Sequence, residues 1–226
     1  MAARASLFDR WSDSYDGVGL QLLTYRPVHD AVLARLRDAD PAVVVDLGCG
    51  TGRLSERLIG EFPESTVLGI DLSAGMLVRA AGRLDGAGPS HTGLVLADAH
   101  RLPIAASAVD VIVCTESFHW YHDQPGVLDG LATALRPGGR LVIVSIATVT
   151  ELGDRLLRRS TLTGGNEVRA LPPGRLRKLL AGAGFEVTAQ RRIPRLGVVA
   201  WPVLTDATRR PVVRPTPGSS RRSAIS

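Results

Sequence analysis

The chain has 226 residues, of which 45% are hydrophobic and 22% charged, and it contains no apolar run of the roughly 20 residues that span a bilayer. Two cysteines are too few for a disulfide framework, and the N-terminus lacks the apolar core of a signal peptide, so we expect a cytoplasmic protein. The net charge of +5 lies mostly in residues 205–226, where five Arg and one Asp give +4; residues 1–204 carry only +1 and give no electrostatic reason to expect a nucleic-acid partner.

The N-terminal segment is predicted to be helical. Apolar positions between residues 7 and 38 are spaced for an amphipathic helix, with an interruption at Pro27. We expect residues 1–40 to form a helical lid over a main domain at residues 41–204. Several aromatic side chains, Tyr15 and Tyr25 among them, lie in this segment, either as a stripe that packs on the core or around the mouth of an active site.

Five short apolar runs in the middle of the chain predict buried strands. Each has five to seven residues and is rich in β-branched side chains, which is typical of a parallel sheet covered on both faces. Helix patterns lie between these runs, so the chain alternates strand and helix and is predicted to have a doubly wound α/β fold. The predicted strands are residues 42–47, 66–70, 92–96, 109–114 and 140–146, and the helices are residues 53–62, 73–84 and 126–135.

The C-terminal part is predicted to add one helix and two strands. Residues 173–183 form a helix pattern that Gly184 ends as a C-cap. Strand patterns follow at residues 185–193 and 197–203. Residues 205–226 are rich in Pro, Ser, Thr and Arg, and we expect them to be a disordered basic tail.

The strongest motif is VVVDLGCGTG at residues 43–52. A strand leads into Asp46, and Gly48, Gly50 and Gly52 then allow the backbone to turn sharply and approach a ligand before the next helix begins. The dinucleotide fingerprint G-x-G-x-x-G would place its last glycine where this chain has Arg53. A carboxylate before the glycines would also repel a pyrophosphate, so the motif favours a ligand that carries a cationic group.

Two further acids follow the next two predicted strands. Asp71 lies nineteen residues after Gly52, where an acid accepts hydrogen bonds from both hydroxyls of an unphosphorylated ribose. Asp98 follows the third strand, where it can accept a hydrogen bond from an exocyclic amine such as that of adenine. Together with Asp46, these acids predict a nucleoside with a cationic arm.

In this order and spacing, the segments DLGCGTG, GIDLS, LADAHRLP, VDVIVCTESFHW and LRPGGRLVI resemble class I S-adenosylmethionine-dependent methyltransferases, in particular the group of ubiquinone/menaquinone-type and other small-molecule methyltransferases. The resemblance covers about residues 8–203 and implies a Rossmann-like seven-stranded sheet with its last strand antiparallel. It implies S-adenosylmethionine as the cofactor and a small-molecule methyl acceptor as the partner. The cofactor-binding residues that it implies are Tyr15, Asp46, Gly48, Cys49, Gly50, Gly52, Asp71, Leu72, Met76, Asp98, Ala99, Thr115 and Glu116.

The segment TESFHWYHD, residues 115–123, is expected to face both cofactor and acceptor, because ligands of this fold bind at the carboxyl ends of the strands. Phe118, Trp120 and Tyr121 are expected to line an apolar pocket. His119 and His122 are candidate general bases, since the pKa of imidazole suits proton transfer near neutral pH. Hydrogen bonding within the loop is the alternative role for both.

The sequence therefore predicts methyl transfer to a small apolar or aromatic molecule by in-line displacement. The segment after the fourth strand lacks the Asn/Asp-Pro-Pro-aromatic sequence of amino-methylating nucleic-acid enzymes, and Glu116 lacks the second acid of protein-arginine methyltransferases. Three alternatives stay open: a catalytically silent cofactor-binding regulator, an NAD-type oxidoreductase and an RNA methyltransferase that uses the basic tail. No histidine spacing indicates a metal site, and no oligomeric state is predicted.

Overall fold

The computed structural model describes residues 25–86, 92–147, 168–194 and 202–211. Seven strands form one sheet: β1 (Val43–Leu47), β2 (Thr66–Asp71), β3 (Thr92–Leu96), β4 (Val109–Thr115), β5 (Leu135–Ile146), β6 (Phe185–Arg192) and β7 (Pro202–Arg209). The helices are α1 (Arg26–Leu36), α2 (Arg53–Glu61), α3 (Ala74–Leu84), α4 (Gln124–Ala134) and α5 (Pro173–Gly182), with one 3₁₀ turn at Phe118–Trp120. None of the helices in the described ranges has the length and apolar character needed to cross a membrane.

The strand order is β3-β2-β1-β4-β5-β7-β6. Strands β1 to β5 pair in parallel, and β7 runs antiparallel to both β5 and β6. The predicted doubly wound seven-stranded sheet with an antiparallel last strand is therefore confirmed. The predicted C-cap is also present, because Gly184 follows α5 with a φ of +86°.

Successive residues of the central strands pack into two separate cores. Val45 and Ile112 lie in the core that is covered by α4 and α5, whereas their neighbours Val44 and Val111 lie in the core covered by α1 and α2. Side chains of a strand alternate between the two faces of a sheet, so a strand that is apolar at every position must be covered on both sides. This arrangement explains the continuous apolar runs of the sequence.

The start of β5 is irregular. Val109 of β4 pairs with Leu135, but Val111 pairs with Arg140, so the residues between Leu135 and Arg140 interrupt the ladder. The predicted start at Arg140 is the point where the regular register resumes. The strand itself begins five residues earlier than predicted.

The last strand lies further along the chain than the prediction of residues 197–203. Strand β7 covers Pro202–Arg209, and both Thr205 and Asp206 are buried in it. The predicted tail therefore began too early: residues 205–209 are part of the sheet. Residues 1–24 and 212–226, which hold the rest of the predicted lid and tail, lie outside the described residues.

Residues 26–36 of the predicted lid form a core helix. Pro27 lies in the first turn of α1 instead of interrupting a longer helix, a position where its missing N–H costs no helical hydrogen bond. Val28, Val32 and Leu36 are fully buried against the sheet. Helix α1 therefore belongs to the main body, and it carries Tyr25 at its N-terminal end.

A buried acid joins α1 to the sheet. Asp206 of β7 is fully buried and forms ion pairs with Arg35 Nε at 2.7 Å and with Arg140 Nη2 at 2.8 Å. Arg140 Nη2 also donates to the backbone oxygen of Arg35 at 2.8 Å. The acid that was counted with the basic tail is thus a structural residue that holds a helix and two strands together.

We expect Asp206→Ala to lower the free energy of unfolding by about 3 kcal/mol, because it leaves two arginine side chains beside the sheet without their carboxylate. Urea unfolding followed by circular dichroism measures this change. Asp129 is an exposed acid on α4, and Asp129→Ala should stay within about 0.5 kcal/mol of the wild type. Equal unfolding midpoints for the two variants would contradict a structural role for Asp206.

Candidate active site

The main cavity opens at the carboxyl ends of β1 and β4. Strand β1 lies between β2 and β4, so the chain connections diverge at this point, where open α/β sheets bind their ligands. The cavity has a volume of about 490 Å³. Its lining residues come from six places: Tyr25; Leu47, Gly48 and Gly50; Ile70, Asp71, Leu72 and Met76; residues 97–100; residues 115–117 and 119–122; and Ile146.

The glycine loop after β1 is held in place by β2. The backbone N–H of Gly48 donates to the Ile70 carbonyl at 2.7 Å, and the N–H of Gly50 donates to Asp71 Oδ2 at 2.9 Å. Gly50 has a φ of +55°, and a Cβ at this position would meet no atom within 4 Å. Its backbone therefore faces open space, as a loop that a ligand approaches closely requires.

Gly48 packs against the segment that follows β4. It has a φ of +73°, and a Cβ there would lie 2.5 Å from the Cβ and Oγ of Ser117. Ser117 Oγ donates to the Leu47 carbonyl at 3.1 Å and accepts from Tyr121 Oη at 3.2 Å. The glycine loop and the segment after β4 are thus packed together without space for a side chain on Gly48.

Asp71 ends β2 with both carboxylate oxygens bonded to backbone amides. Oδ2 accepts from Gly50 N, and Oδ1 accepts from Ser73 N at 2.9 Å. These two bonds orient the carboxylate, which lines the main cavity. This geometry suits the two hydroxyls of a ribose.

Asp98 lies beside two imidazole rings. Asp98 Oδ1 accepts from the backbone N–H of His100 at 3.0 Å and lies 2.7 Å from His100 Nδ1. Burial opposes ionisation of this carboxyl, but the hydrogen bonds and charge of His100, with a smaller contribution from His122, outweigh burial and lower the pKa of Asp98. The His100 ring stacks on the His122 ring with centroids 3.9 Å apart.

Asp46 is placed differently from the other acids. It is fully buried behind the glycine loop, where Ser55 Oγ donates to Oδ2 at 2.7 Å, and it lines neither cavity found at this end of the sheet. Burial raises the pKa of Asp46 from 3.8 to about 7, while the Ser55 hydrogen bond lowers it and the charge of Asp71 raises it. Its contacts link the end of β1 to α2.

The raised pKa of Asp46 predicts how stability depends on pH. The native state binds this proton more tightly than the unfolded chain, so Asp46 destabilises the protein increasingly as pH rises from about 4 to about 7. Relative to the wild type, Asp46→Asn should therefore gain up to about 4 kcal/mol of stability between pH 4 and pH 8. Urea unfolding of both proteins at pH 5 and pH 8, without cofactor, tests this; a difference that is independent of pH would contradict it.

A smaller cavity of about 40 Å³ lies on the other side of the glycine loop. Thr115 and Glu116 at the end of β4 line both cavities, as do Tyr25, Gly48 and Gly50. Glu116 has a φ of +55°, which is unusual for a residue with a side chain, and its N–H donates to the Val144 carbonyl at 2.7 Å. The remaining lining residues of the smaller cavity are His29, Cys49, Thr51, Arg53 and Leu54.

The segment after Glu116 supplies one wall of the main cavity. His119 is buried, with Nδ1 3.2 Å from Ser145 Oγ, and it lines the cavity with Trp120 and Tyr121. Phe118 was expected to line the cavity too, but it is 1% exposed and lies in the core. A residue at the start of a 3₁₀ turn can point away from its neighbours, which a sequence pattern does not show.

Most of the predicted site residues come together. The main cavity is lined by all the predicted cofactor-binding residues from Asp71 to Glu116 and by the two candidate bases His119 and His122, together with Gly48 and Gly50. Cys49 lines the smaller cavity. Asp46 and Gly52 line neither; a Cβ on Gly52 would lie 3.0 Å from the Ala80 Cβ, so this glycine serves the packing of α2 on α3. Tyr15 lies outside the described residues.

Several lining residues were not predicted from the sequence, among them His100 and Ile146 in the main cavity and His29 and Arg53 in the smaller one. The sequence contained an indication of the position of His100. An Asp side chain often accepts a hydrogen bond from the backbone N–H two residues later, as Asp98 does from His100. Within the described part of the chain, no three His, Cys, Asp or Glu side chains are grouped as metal ligands would be.

The lining of the main cavity fits S-adenosylmethionine. Three carboxylates, Asp71, Asp98 and Glu116, line it, and no Lys or Arg does so among the described residues. Such a wall disfavours a pyrophosphate and favours a ligand with positive charge and donor groups. Apolar side chains between the acids, including Ile70 and Met76, suit the faces of an adenine ring.

Comparison with known proteins also indicates a methyltransferase. Residues 44–139 match the model of a family described as a methyltransferase domain. The chain is 37% identical over 142 residues to the malonyl-[acyl-carrier protein] O-methyltransferase of Methylococcus capsulatus, covering 61% of this chain and 50% of that protein. It is 30% identical over 192 residues to the trans-aconitate 2-methyltransferase of Deinococcus radiodurans, covering 75% of this chain and 71% of the relative.

The fold is shared with a solved methyltransferase structure. Burkholderia thailandensis 1,6-didemethyltoxoflavin-N1-methyltransferase, with bound 1,6-didemethyltoxoflavin and S-adenosylhomocysteine, superposes with a TM-score of 0.73 at 20% identity, over 93% of this chain and 88% of that one. At this identity the likeness shows the fold alone. The chain spans about half the length of the Methylococcus capsulatus relative and of a trans-aconitate 2-methyltransferase of Methylobacterium nodulans. By its fold, its glycine loop and its relatives, the chain belongs to the class I S-adenosylmethionine-dependent methyltransferases.

Proposed function

We propose that this chain transfers a methyl group from S-adenosylmethionine to a small molecule with an uncharged apolar or aromatic body. The observation that carries the proposal is the wall of three carboxylates beside the open face of Gly50. When bound, S-adenosylmethionine supplies an electrophilic methyl group on a positively charged sulfur. The remaining requirements of the reaction fall on the residues of the chain.

The chain holds the cofactor on one side of the main cavity. Asp71 is oriented by two backbone amides and would bind the ribose hydroxyls, and Asp98 would accept a hydrogen bond from the adenine amine. The glycine loop lies against the nucleoside side of the cavity. Most of the rate enhancement in such an in-line displacement comes from holding the acceptor atom close to the methyl carbon at the required angle.

The acceptor side is apolar and contains one buried imidazole. Trp120, Tyr121 and Ile146 form walls that suit a hydrophobic or aromatic body. Ser145 Oγ can donate to the Ile146 carbonyl at 3.4 Å and accept from His119 Nδ1–H, which makes Nε2 the basic nitrogen. His119 could then accept a proton from a hydroxyl acceptor, whereas His122 stacks on His100 beside Asp98 and supports the adenine side.

The acceptors named for two relatives point to a different class. Trans-aconitate is a polycarboxylic acid and a malonyl group ends in a carboxylate, so both are anions at neutral pH. Here Glu116 lines the cavity and no described Lys or Arg does, which would disfavour an anion by charge repulsion. We therefore propose an uncharged acceptor, such as a phenol or another hydroxyl compound.

A methyl-transfer screen tests this proposal. The purified chain is incubated with S-adenosylmethionine that carries a deuterated methyl group, and with matched sets of phenols and carboxylic acids. Mass spectrometry should detect labelled phenols or hydroxyl compounds. Labelled carboxylic acids alone would overturn the acceptor class, and cofactor binding without any labelled product would favour the catalytically silent regulator.

The role of His119 is tested with the same assay. His119→Gln should lower kcat for a hydroxyl acceptor by about a hundredfold or more, because the base is lost, and should leave the affinity for S-adenosylhomocysteine unchanged. An equal loss of cofactor affinity would indicate a structural role instead. The pH profile of kcat should lose its acidic limb in the variant.

A further inference from the structure

The ring of His100 joins the turn after β3 to the start of α4. It lines the main cavity, and its Nδ1 lies 2.7 Å from Asp98 Oδ1. On the other side of the ring, Nε2 accepts from the backbone N–H of Asp123 at 3.4 Å, 23 residues further along the chain. Asp123 is the N-cap of α4, where its Oδ1 accepts from the Gly126 N–H at 3.0 Å. Both ring nitrogens of His100 therefore have a partner.

These two contacts require the neutral form of His100. An imidazole can accept at Nε2 only when this nitrogen is unprotonated, and its single proton then lies on Nδ1, which donates to Asp98. A protonated imidazole has two donors and no acceptor, so it would place an Nε2–H opposite the N–H of Asp123. Protonation of His100 therefore keeps the contact with Asp98 and breaks the contact with Asp123.

His100 also determines which oxygen of Asp98 is available to a ligand. Oδ1 accepts from both the backbone N–H and the Nδ1–H of His100, whereas Oδ2 accepts no hydrogen bond from any described residue. Asp98 lines the main cavity, so Oδ2 is the oxygen that can accept from the amine of adenine. A positive charge on His100 would strengthen its own bond to the carboxylate and compete with that amine.

A second contact of the ring also depends on charge. The His100 and His122 rings stack with centroids 3.9 Å apart, and two protonated rings at this distance would repel each other. The Tyr121 ring meets the His100 ring edge-on at 5.9 Å, and burial raises the pKa of Tyr121, so its hydroxyl stays uncharged. The titratable and charged residues around the ring are Asp98, Arg101, Tyr121, His122 and Asp123, with Arg169 donating to the His122 carbonyl at 2.8 Å.

We infer that His100 is a positioning residue that directs Asp98 Oδ2 to the adenine amine, ties the adenine side of the cavity to the start of α4, and releases this tie when it is protonated. The inference rests on the proposed function, since it concerns how the same cofactor is held. Binding of the cofactor should favour neutral His100 and therefore release a proton in the range from about pH 5 to 8, in which imidazoles change charge.

Calorimetric titration with S-adenosylhomocysteine at pH 5.5 and pH 8 tests the link to protonation. The wild type should bind about tenfold more weakly at pH 5.5, and His100→Asn should lose most of this difference because it has no titratable group. His119→Gln removes another imidazole from the same cavity and should keep the pH dependence of the wild type. Titrations at pH 6 in two buffers of different ionisation enthalpy should show that the wild type releases more protons than His100→Asn.

Two amide variants separate the two contacts of the ring. Asn places an amide N–H close to the position of Nδ1, so His100→Asn should bind S-adenosylhomocysteine within about threefold of the wild type at pH 8 but melt at a lower temperature without ligand. Gln places an amide oxygen close to the position of Nε2, so His100→Gln should keep the melting temperature and bind about tenfold more weakly.

A wild type whose affinity does not change with pH would overturn the inference, and so would a pH dependence that persists in His100→Asn. Equal losses of affinity and melting temperature in the Asn and Gln variants would also overturn it, since they would show only a general structural role. A wild type that binds no S-adenosylhomocysteine at either pH would instead overturn the proposed function.

Discussion

Asp71→Ala is expected to raise the Kd of S-adenosylhomocysteine by at least about a hundredfold. The carboxylate would bind two ribose hydroxyls, and each hydrogen bond to a charged acceptor is worth about 1.5–3 kcal/mol. It also accepts the Gly50 and Ser73 amides, both at 2.9 Å, so its removal releases the glycine loop from β2. Isothermal titration calorimetry measures the change.

Asp129→Ala is the control for this experiment, because Asp129 is an exposed acid on α4 and does not line either cavity. It should bind S-adenosylhomocysteine as the wild type does. Asp71→Asn keeps the size of the side chain and should give an intermediate affinity. If Asp71→Ala bound the ligand within a few-fold of the wild type, the ribose assignment would be wrong.

Gly48→Ala is expected to destabilise the fold by about 3 kcal/mol and to abolish detectable cofactor binding. Its Cβ would lie 2.5 Å from two atoms of Ser117, and a φ of +73° adds strain for any residue with a side chain. Because Ser117 also bonds the Leu47 carbonyl and Tyr121, it cannot move aside without breaking that network. Thermal melting and calorimetry report the two effects separately.

Gly86→Ala separates the steric clash from the backbone strain. Gly86 has a φ of +74°, almost the same as that of Gly48, but a Cβ there would meet no atom within 4 Å. This variant should lose only about 1 kcal/mol and keep its cofactor affinity. Equal destabilisation in Gly48→Ala and Gly86→Ala would show that contact with Ser117 contributes nothing.

The parallel part of the fold was predictable because its pattern of apolar residues is visible within each short segment of the sequence. A strand covered on both faces must be apolar at nearly every position, and β1, β2 and β4 show this as short runs of Val, Ile and Leu. The glycine loop was predictable for a similar reason, since positive φ at Gly48 and Gly50 requires residues without a Cβ. Both the apolar strands and the glycine loop can therefore be identified from consecutive residues of the sequence.

Strand β7 was misplaced because its pattern depends on distant partners. Thr205 and Asp206 are polar, and a sequence window assigns such residues to a surface or a tail. In the fold, Asp206 is buried only because Arg35 and Arg140 reach it from α1 and β5. The pairing of three segments separated by more than 60 residues cannot be read from one of them.

In the candidate site, too, some features follow from consecutive residues and others depend on distant parts of the chain. Asp71 ends β2, Asp98 lies two residues after β3, and both line the main cavity, whereas Asp46 lies near the end of β1 and is buried behind the glycine loop. The side chain of a residue at a strand end can face either the ligand or the next helix. The side chain of Asp46 faces α2, where it accepts a hydrogen bond from Ser55. Neighbours across the sheet, rather than the motif itself, determine this orientation.

We propose that the main cavity binds a nucleoside with a free ribose and a cationic arm. Calorimetric titration of the full chain with S-adenosylhomocysteine, and in parallel with NADH, tests it most directly. We expect one S-adenosylhomocysteine to bind per chain with micromolar affinity, and no heat of binding from NADH. Binding of NADH without binding of S-adenosylhomocysteine would contradict it.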